Sequence, residues 1–142
     1  MTVKEWIAAG LEHAASREWR QAALSFCQAV KQDPGLAEAY QLLGEVLISL
    51  NDWGNAQACF FKVLELDTEI PAAYNYLGVV LKHKNFLAEA EACYRKAIEK
   101  DPGYAEAFYN LGNCLALSDR VAEAESCYLR ALELQSKNGF GG

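Results

Sequence analysis

Apolar positions recur along this chain at helical spacing, in blocks separated by short polar breaks. Between Pro71 and Tyr104 the pattern is easiest to read. Tyr74, Leu77, Gly78 and Leu81 fall three and four residues apart, which puts them on one stripe of a helix. Lys84 and Asn85 interrupt the stripe, and a second one follows through Leu87, Ala90, Tyr94, Ala97 and Ile98. Asp101-Pro102-Gly103 ends it, because proline cannot continue a helix and glycine tolerates the turn. The stretch predicts a helix–turn–helix hairpin with apolar residues on two sides.

The same pattern returns every 34 residues. Gly10, Gly44, Gly78 and Gly112 form one column, and Trp6, Tyr40, Tyr74 and Phe108 form another four residues earlier. Ala9, Leu43, Leu77 and Leu111 form a third. In the second helix the columns are Ala22, Ala56, Ala90 and Ala124, then Phe26, Phe60, Tyr94 and Tyr128, then Ala29, Val63, Ala97 and Ala131. The small columns let two helices approach closely, and the aromatic columns fill the space beside them. A hairpin of this kind has to stack on neighbours to bury its second apolar side. Four repeats are therefore expected, over residues 3–36, 37–70, 71–104 and 105–138, in a single domain with a disordered tail at 139–142.

On these columns the chain resembles the tetratricopeptide repeat (TPR) family. The second repeat reads Tyr40-x2-Leu43-Gly44-x2-Leu47 and then Ala56-x3-Phe60. The resemblance implies an all-α, right-handed α-solenoid of stacked antiparallel helix hairpins. It also implies a concave groove, lined by the first helix of each repeat, that holds an extended peptide or a partner helix. By column the groove residues are Lys4, Ile7, Leu11 and Ala14, then Glu38, Gln41, Glu45 and Ile48, then Ala72, Asn75, Val79 and Lys82, and finally Glu106, Tyr109, Asn113 and Ala116. Within this set Gln41, Asn75 and Asn113 suit hydrogen bonding to a ligand's main chain, while Val79 and Tyr109 suit apolar side chains. Asn75 and Asn113 are expected to point away from the packing between helices.

The clamp by which co-chaperone members of the family grip a terminal carboxylate is not matched. Its lysine, asparagine and arginine columns hold Ile7, Leu11, Leu42, Ala72 and Tyr76 in one register, and Gln41, Glu45, Tyr76, Glu106 and Asn110 in the other. The Tyr109–Gly112 run and the groove asparagines look more like the long arrays beside protein glycosyltransferases.

The first repeat departs most from the pattern. His13 stands where Leu47, Leu81 and Leu115 stand later, and is expected to be packed with one satisfied nitrogen. The fourth repeat breaks between its helices at Ser118-Asp119, where a polar side chain can cap the next helix.

Charge narrows the partners. Net charge is −6 and pI about 4.9, which argues against nucleic acid or an anionic membrane surface. Charged residues break every apolar run well short of a membrane span, so a cytoplasmic protein is expected. Cys59, Cys93 and Cys127 share one column, but stacked helices about 8–10 Å apart keep such residues beyond disulfide reach. They read as packing residues, with no metal or cofactor. His83 reads as a solvated side chain on a first helix. No nucleophile–base set, phosphate loop or carboxylate pair stands out, so no enzyme is expected.

Two function classes follow. One is a non-catalytic peptide- or protein-binding module. The other is a scaffold, targeting or self-assembly segment of a larger protein such as a glycosyltransferase. Self-association is expected through the end repeats, with Tyr128, Ala131 and Leu132 forming an open apolar strip at one end and Trp6 with its neighbours at the other.

Overall fold

The computed structural model describes residues 1–139. All regular structure among them is helical: α1 (Val3–Ala15), α2 (Trp19–Gln32), α3 (Ala37–Ser49), α4 (Trp53–Leu66), α5 (Pro71–His83), α6 (Leu87–Lys100), α7 (Ala105–Leu117) and α8 (Val121–Gly139). Gly139 closes α8, and the rest of the tail expectation, at 140–142, lies outside the described residues. The helices divide into two compact units. The first runs from Met1 to Thr68 and holds α1–α4; the second begins at Glu69 and holds α5–α8.

Each hairpin closes in the same way. The glycine column removes a side chain where the aromatic of the second helix lies across the first. A Cβ at Gly44 would stand 2.7 Å from the Phe60 ring, and one at Gly78 would stand 2.6 Å from Tyr94. Phe26, Phe60 and Tyr94 are almost wholly buried by this contact. Two of those rings, Phe26 and Tyr94, also anchor the stacking of hairpins within each unit. In the first unit Ala22 and Phe26 of α2 form one core with Leu43 and Val46 of α3 and Cys59 of α4. In the second, Ala90 and Tyr94 of α6 join Leu111, Cys114 and Leu115 of α7 and Ala124 of α8.

The tight turns inside the hairpins are also uniform. Arg17, Asn51, Asn85 and Asp119, one column, take φ of 58°, 61°, 69° and 61°. In each case the next N–H bonds back to a carbonyl five residues earlier, as from Glu18 to His13 at 2.9 Å and from Arg120 to Leu115 at 2.9 Å. This is a Schellman closure, and it requires the left-handed residue. Ser118 serves the preceding helix, its hydroxyl donating to the Cys114 carbonyl at 3.1 Å. Between hairpins, Asp33 and Asp101 accept from the backbone N–H of Gly35 and Gly103 and so hold the Asp-Pro-Gly turns.

Candidate functional site

The first helices carry the candidate groove residues, and each unit presents its own set. In the first unit Gln41 donates to Glu45 at 3.2 Å along α3, both half-buried. Leu11 on α1 is exposed. In the second unit Asn110 of α7 donates to Asn75 Oδ1 of α5 at 3.0 Å, which ties the two first helices together. Val79 and Lys82 are half-buried on α5, and Tyr109 is exposed on α7. The Tyr128 hydroxyl donates to Asn113 Oδ1 at 2.7 Å. Its ring centroid lies 5.7 Å from that of Tyr109, with the planes tilted by 52°. The second unit therefore offers an aromatic pair beside an amide.

Two family models, both described as tetratricopeptide repeat, match this chain, one over residues 37–69 and one over 81–139. With the 34-residue register and the repeated glycine–aromatic contact, they decide the family. The chain belongs to the tetratricopeptide repeat family. It is similar to solved structures throughout its length. To a crystal structure of MamA it has 25% identity and a TM-score of 0.86, over 96% of this chain and 80% of that one. To YrrB, described as a TPR protein with an unusual peptide-binding site, it has 25% identity and a TM-score of 0.79, over 94% and 69% of the two chains. A MamA fragment, residues 41 to the end, from Desulfovibrio magneticus RS-1 is 20% identical with a TM-score of 0.85, a likeness of fold. No curated protein matches the sequence significantly.

Against this TPR frame, two expectations are corrected. Asn75 is no open groove position: it is wholly buried, because α7 lies across it and Asn110 takes its oxygen. Ala131 is not exposed as expected but lies at the base of a cavity that it lines with Tyr128 and Leu132. It is 3% exposed, packed within its own hairpin, while Tyr128 is half-buried and Leu132 alone of the three stands open. The other TPR groove residues lie at least partly in solvent.

A second concavity, missed in the sequence, opens on the side of the second helices in the first unit. It encloses about 540 Å³, with Ala23 and Cys27 of α2 on one wall, Ala58 and Cys59 of α4 on the other, and Leu43 and Leu47 of α3 below. The columns of Ala23 and Cys27 hold Glu91 and Arg95 in the third repeat. There the space is crossed by ion pairs: Arg120 lies 2.7 Å from Glu91 and 2.8 Å from Glu123, and Arg95 lies 2.9 Å from Glu91. Side-chain and charge contacts with Arg120 hold the Glu123 carboxyl below its usual range. Two small residues where the third repeat carries a salt bridge were the available signal.

Two thiols are held neutral by their surroundings. Burial, helped by Cys27 and Asp52, pushes Cys59 up to about 11, and burial beside Glu89 does the same for Cys93. His13 makes its one close contact to Glu18 at 2.8 Å and is half-buried. Among the described residues no three His, Cys, Asp or Glu side chains are grouped to hold a metal ion. No helix among them is long and apolar enough to cross a membrane.

Proposed function

We propose that this TPR chain is a non-catalytic binding module that takes a peptide or partner segment along the first helices of its hairpins. The observation that carries the reading is the Tyr109–Tyr128 ring pair beside the Asn113 amide. An exposed aromatic surface there stands beside an amide, on the first helices, whose outward positions differ from repeat to repeat, and α5 adds Val79 and Lys82, both half-buried. YrrB, a TPR protein described as having a peptide-binding site, supports it by likeness. The bound segment is expected to present an apolar or aromatic side chain to Tyr109. Its main chain would bond the amide of Asn113, with an acidic group near Lys82. A terminal carboxylate is not the anchor, since the clamp columns lack their lysines and arginine and Asn110 is already committed to Asn75.

Peptides selected from a random displayed library, then titrated against substituted proteins, test this. Tyr109→Ala is expected to weaken the selected peptides about tenfold, as truncating an aromatic anchor does. Arg95→Ala, on a second helix, is expected to leave them unchanged. The opposite pattern would assign binding to the other side.

A further inference from the structure

The outer edge of the last hairpin repeats a face that the structure elsewhere covers with a helix. In the third repeat, Leu87 and Ile98 pack with Tyr94 against Leu111, Cys114 and Leu115 of α7. On the same side Asn75 takes the Asn110 amide and Glu91 takes Arg120. Thirty-four residues on, the columns of Leu87, Ile98, Asn75 and Glu91 hold Val121, Leu132, Tyr109 and Glu125. Among the described residues nothing covers them: Val121 is 58% exposed, Leu132 61% and Tyr109 53%. Tyr109 and Leu132 flank a cavity of about 300 Å³ floored by Tyr128 and Ala131. The floor is preformed, because the Tyr128 ring lies over Gly112 and its hydroxyl is fixed by Asn113.

We propose that this edge docks an amphipathic helix of a partner protein. That helix would present small or branched apolar residues at i, i+4 and i+7, with an arginine or lysine in the turn after it that pairs with Glu125. The chemistry is read from α7, which covers the equivalent face with Ala107, Leu111 and Cys114 and brings Arg120 from the following turn to Glu91.

Charge argues against a second copy of this chain. The columns of Ala107, Cys114 and Arg120 hold Glu5 and Glu12 of α1 and Glu18 in the turn after it, all exposed. Docking α1 head to tail would press two carboxylates into an apolar cavity and set a third against Glu125, which is costly without partners. Two like edges fare little better. An antiparallel pairing of the Val121–Glu125–Tyr128–Leu132 stripe brings Glu125 near its own copy, and the stripe itself carries no cation.

The probe is a hydrocarbon-stapled peptide of residues 105–122, first shown by circular dichroism to be helical alone. Its binding to the full chain is followed by fluorescence anisotropy. Saturable binding is expected, and Leu132→Asp weakens it by about tenfold or more. Glu125→Lys weakens it by about two- to fivefold, and an R120E peptide restores the loss. Both substituted residues are exposed, so the fold is retained, which circular dichroism checks. The edge shares Tyr109 with the groove reading, so the two are separated at Leu132 and Glu125, which the groove reading does not use: Leu132→Asp and Glu125→Lys leave the library-selected groove peptides unaffected. It is overturned if the peptide does not saturate below about 1 mM, or if Leu132→Asp has no effect. It is equally overturned if the chain alone sediments as a dimer that Leu132→Asp dissolves, since the occupant is then a second copy.

Discussion

Asn110 donates to the buried Asn75 across 3.0 Å, and this single bond joins the first helices of two successive hairpins. Asn75 Nδ2 has no partner of its own. The pair therefore works as a polar lock inside an apolar seam. Removing it leaves the Asn110 amide without its acceptor.

Asn75→Ala is expected to destabilise the protein by about 1–3 kcal/mol, from the lost bond and the small cavity together. Asn113→Ala, whose partner Tyr128 is half-buried and reaches water, is expected to cost about 0.5–1.5 kcal/mol. Urea unfolding of both variants measures the difference. Equal, near-zero effects would show that the Asn75–Asn110 bond contributes nothing.

The repeat frame was legible in the sequence because its columns are dictated by packing that recurs without change. A glycine under an aromatic ring and an alanine at a helix crossing leave little choice, so period and helix limits followed from residues such as Gly78, Tyr94 and Pro102. The site was less legible because neighbours decide it. Asn75 occupies a groove column by spacing, yet α7 covers it, and no pattern along α5 alone reveals that. Ala131 likewise lies in a column that faces inward and outward at once, and being small it is buried within its own hairpin. The cleft over Leu43 and Leu47 depends on what is missing, a salt bridge replaced by Ala23 and Cys27. Its recognition needs a comparison between repeats, not along one.

Two glycine substitutions should act in opposite directions. At Gly78 an added methyl meets the Tyr94 ring at 2.6 Å, and that ring is buried on all sides. Gly78→Ala is expected to lose about 1–3 kcal/mol to overpacking, more than alanine's helix preference returns. At Gly54, in the first turn of α4, a Cβ meets nothing within 4 Å. Gly54→Ala is expected to gain about 0.5–1 kcal/mol, since the unfolded chain loses freedom and no contact is strained. Thermal unfolding midpoints of the two variants check the signs.

Arg17 holds a left-handed backbone, φ 58°, in the column where the other hairpins use Asn51, Asn85 and Asp119. Its bulk makes that conformation costlier than it is for a short polar side chain. Arg17→Asn is expected to stabilise the protein by about 0.5–1 kcal/mol, and Arg17→Gly by a similar amount. The side chain is exposed, so little packing is sacrificed. An unchanged or lowered urea midpoint for both variants would mean that the turn carries no strain at this position.

Two thiols, Cys59 buried and Cys93 half-buried, set an alkaline limit on stability. Burial raises Cys59 and Cys93 from 9.0 to about 11 in the folded protein. Folding therefore favours the neutral thiol, and the unfolded chain gives up these protons first. Stability from this source is fully present below pH 9 and is lost as pH climbs from 9 through about 11. Between pH 6 and 8, by the same reasoning, the two thiols contribute no slope. A Cys59→Ala, Cys93→Ala double variant should be less stable at neutral pH, because it opens space in the core, yet show a flatter alkaline limb. Tyr94, also raised by burial, keeps part of the slope in both proteins. Alkylation gives an independent reading. A two-unit shift leaves roughly a hundredfold less thiolate at pH 8 than in an unfolded chain, so iodoacetamide should modify Cys59 and Cys93 correspondingly slowly. Mass spectrometry of timed samples resolves each site. Rates equal to those of a short unfolded peptide, with identical alkaline limbs in the two proteins, would remove the assignment of these thiols as held neutral.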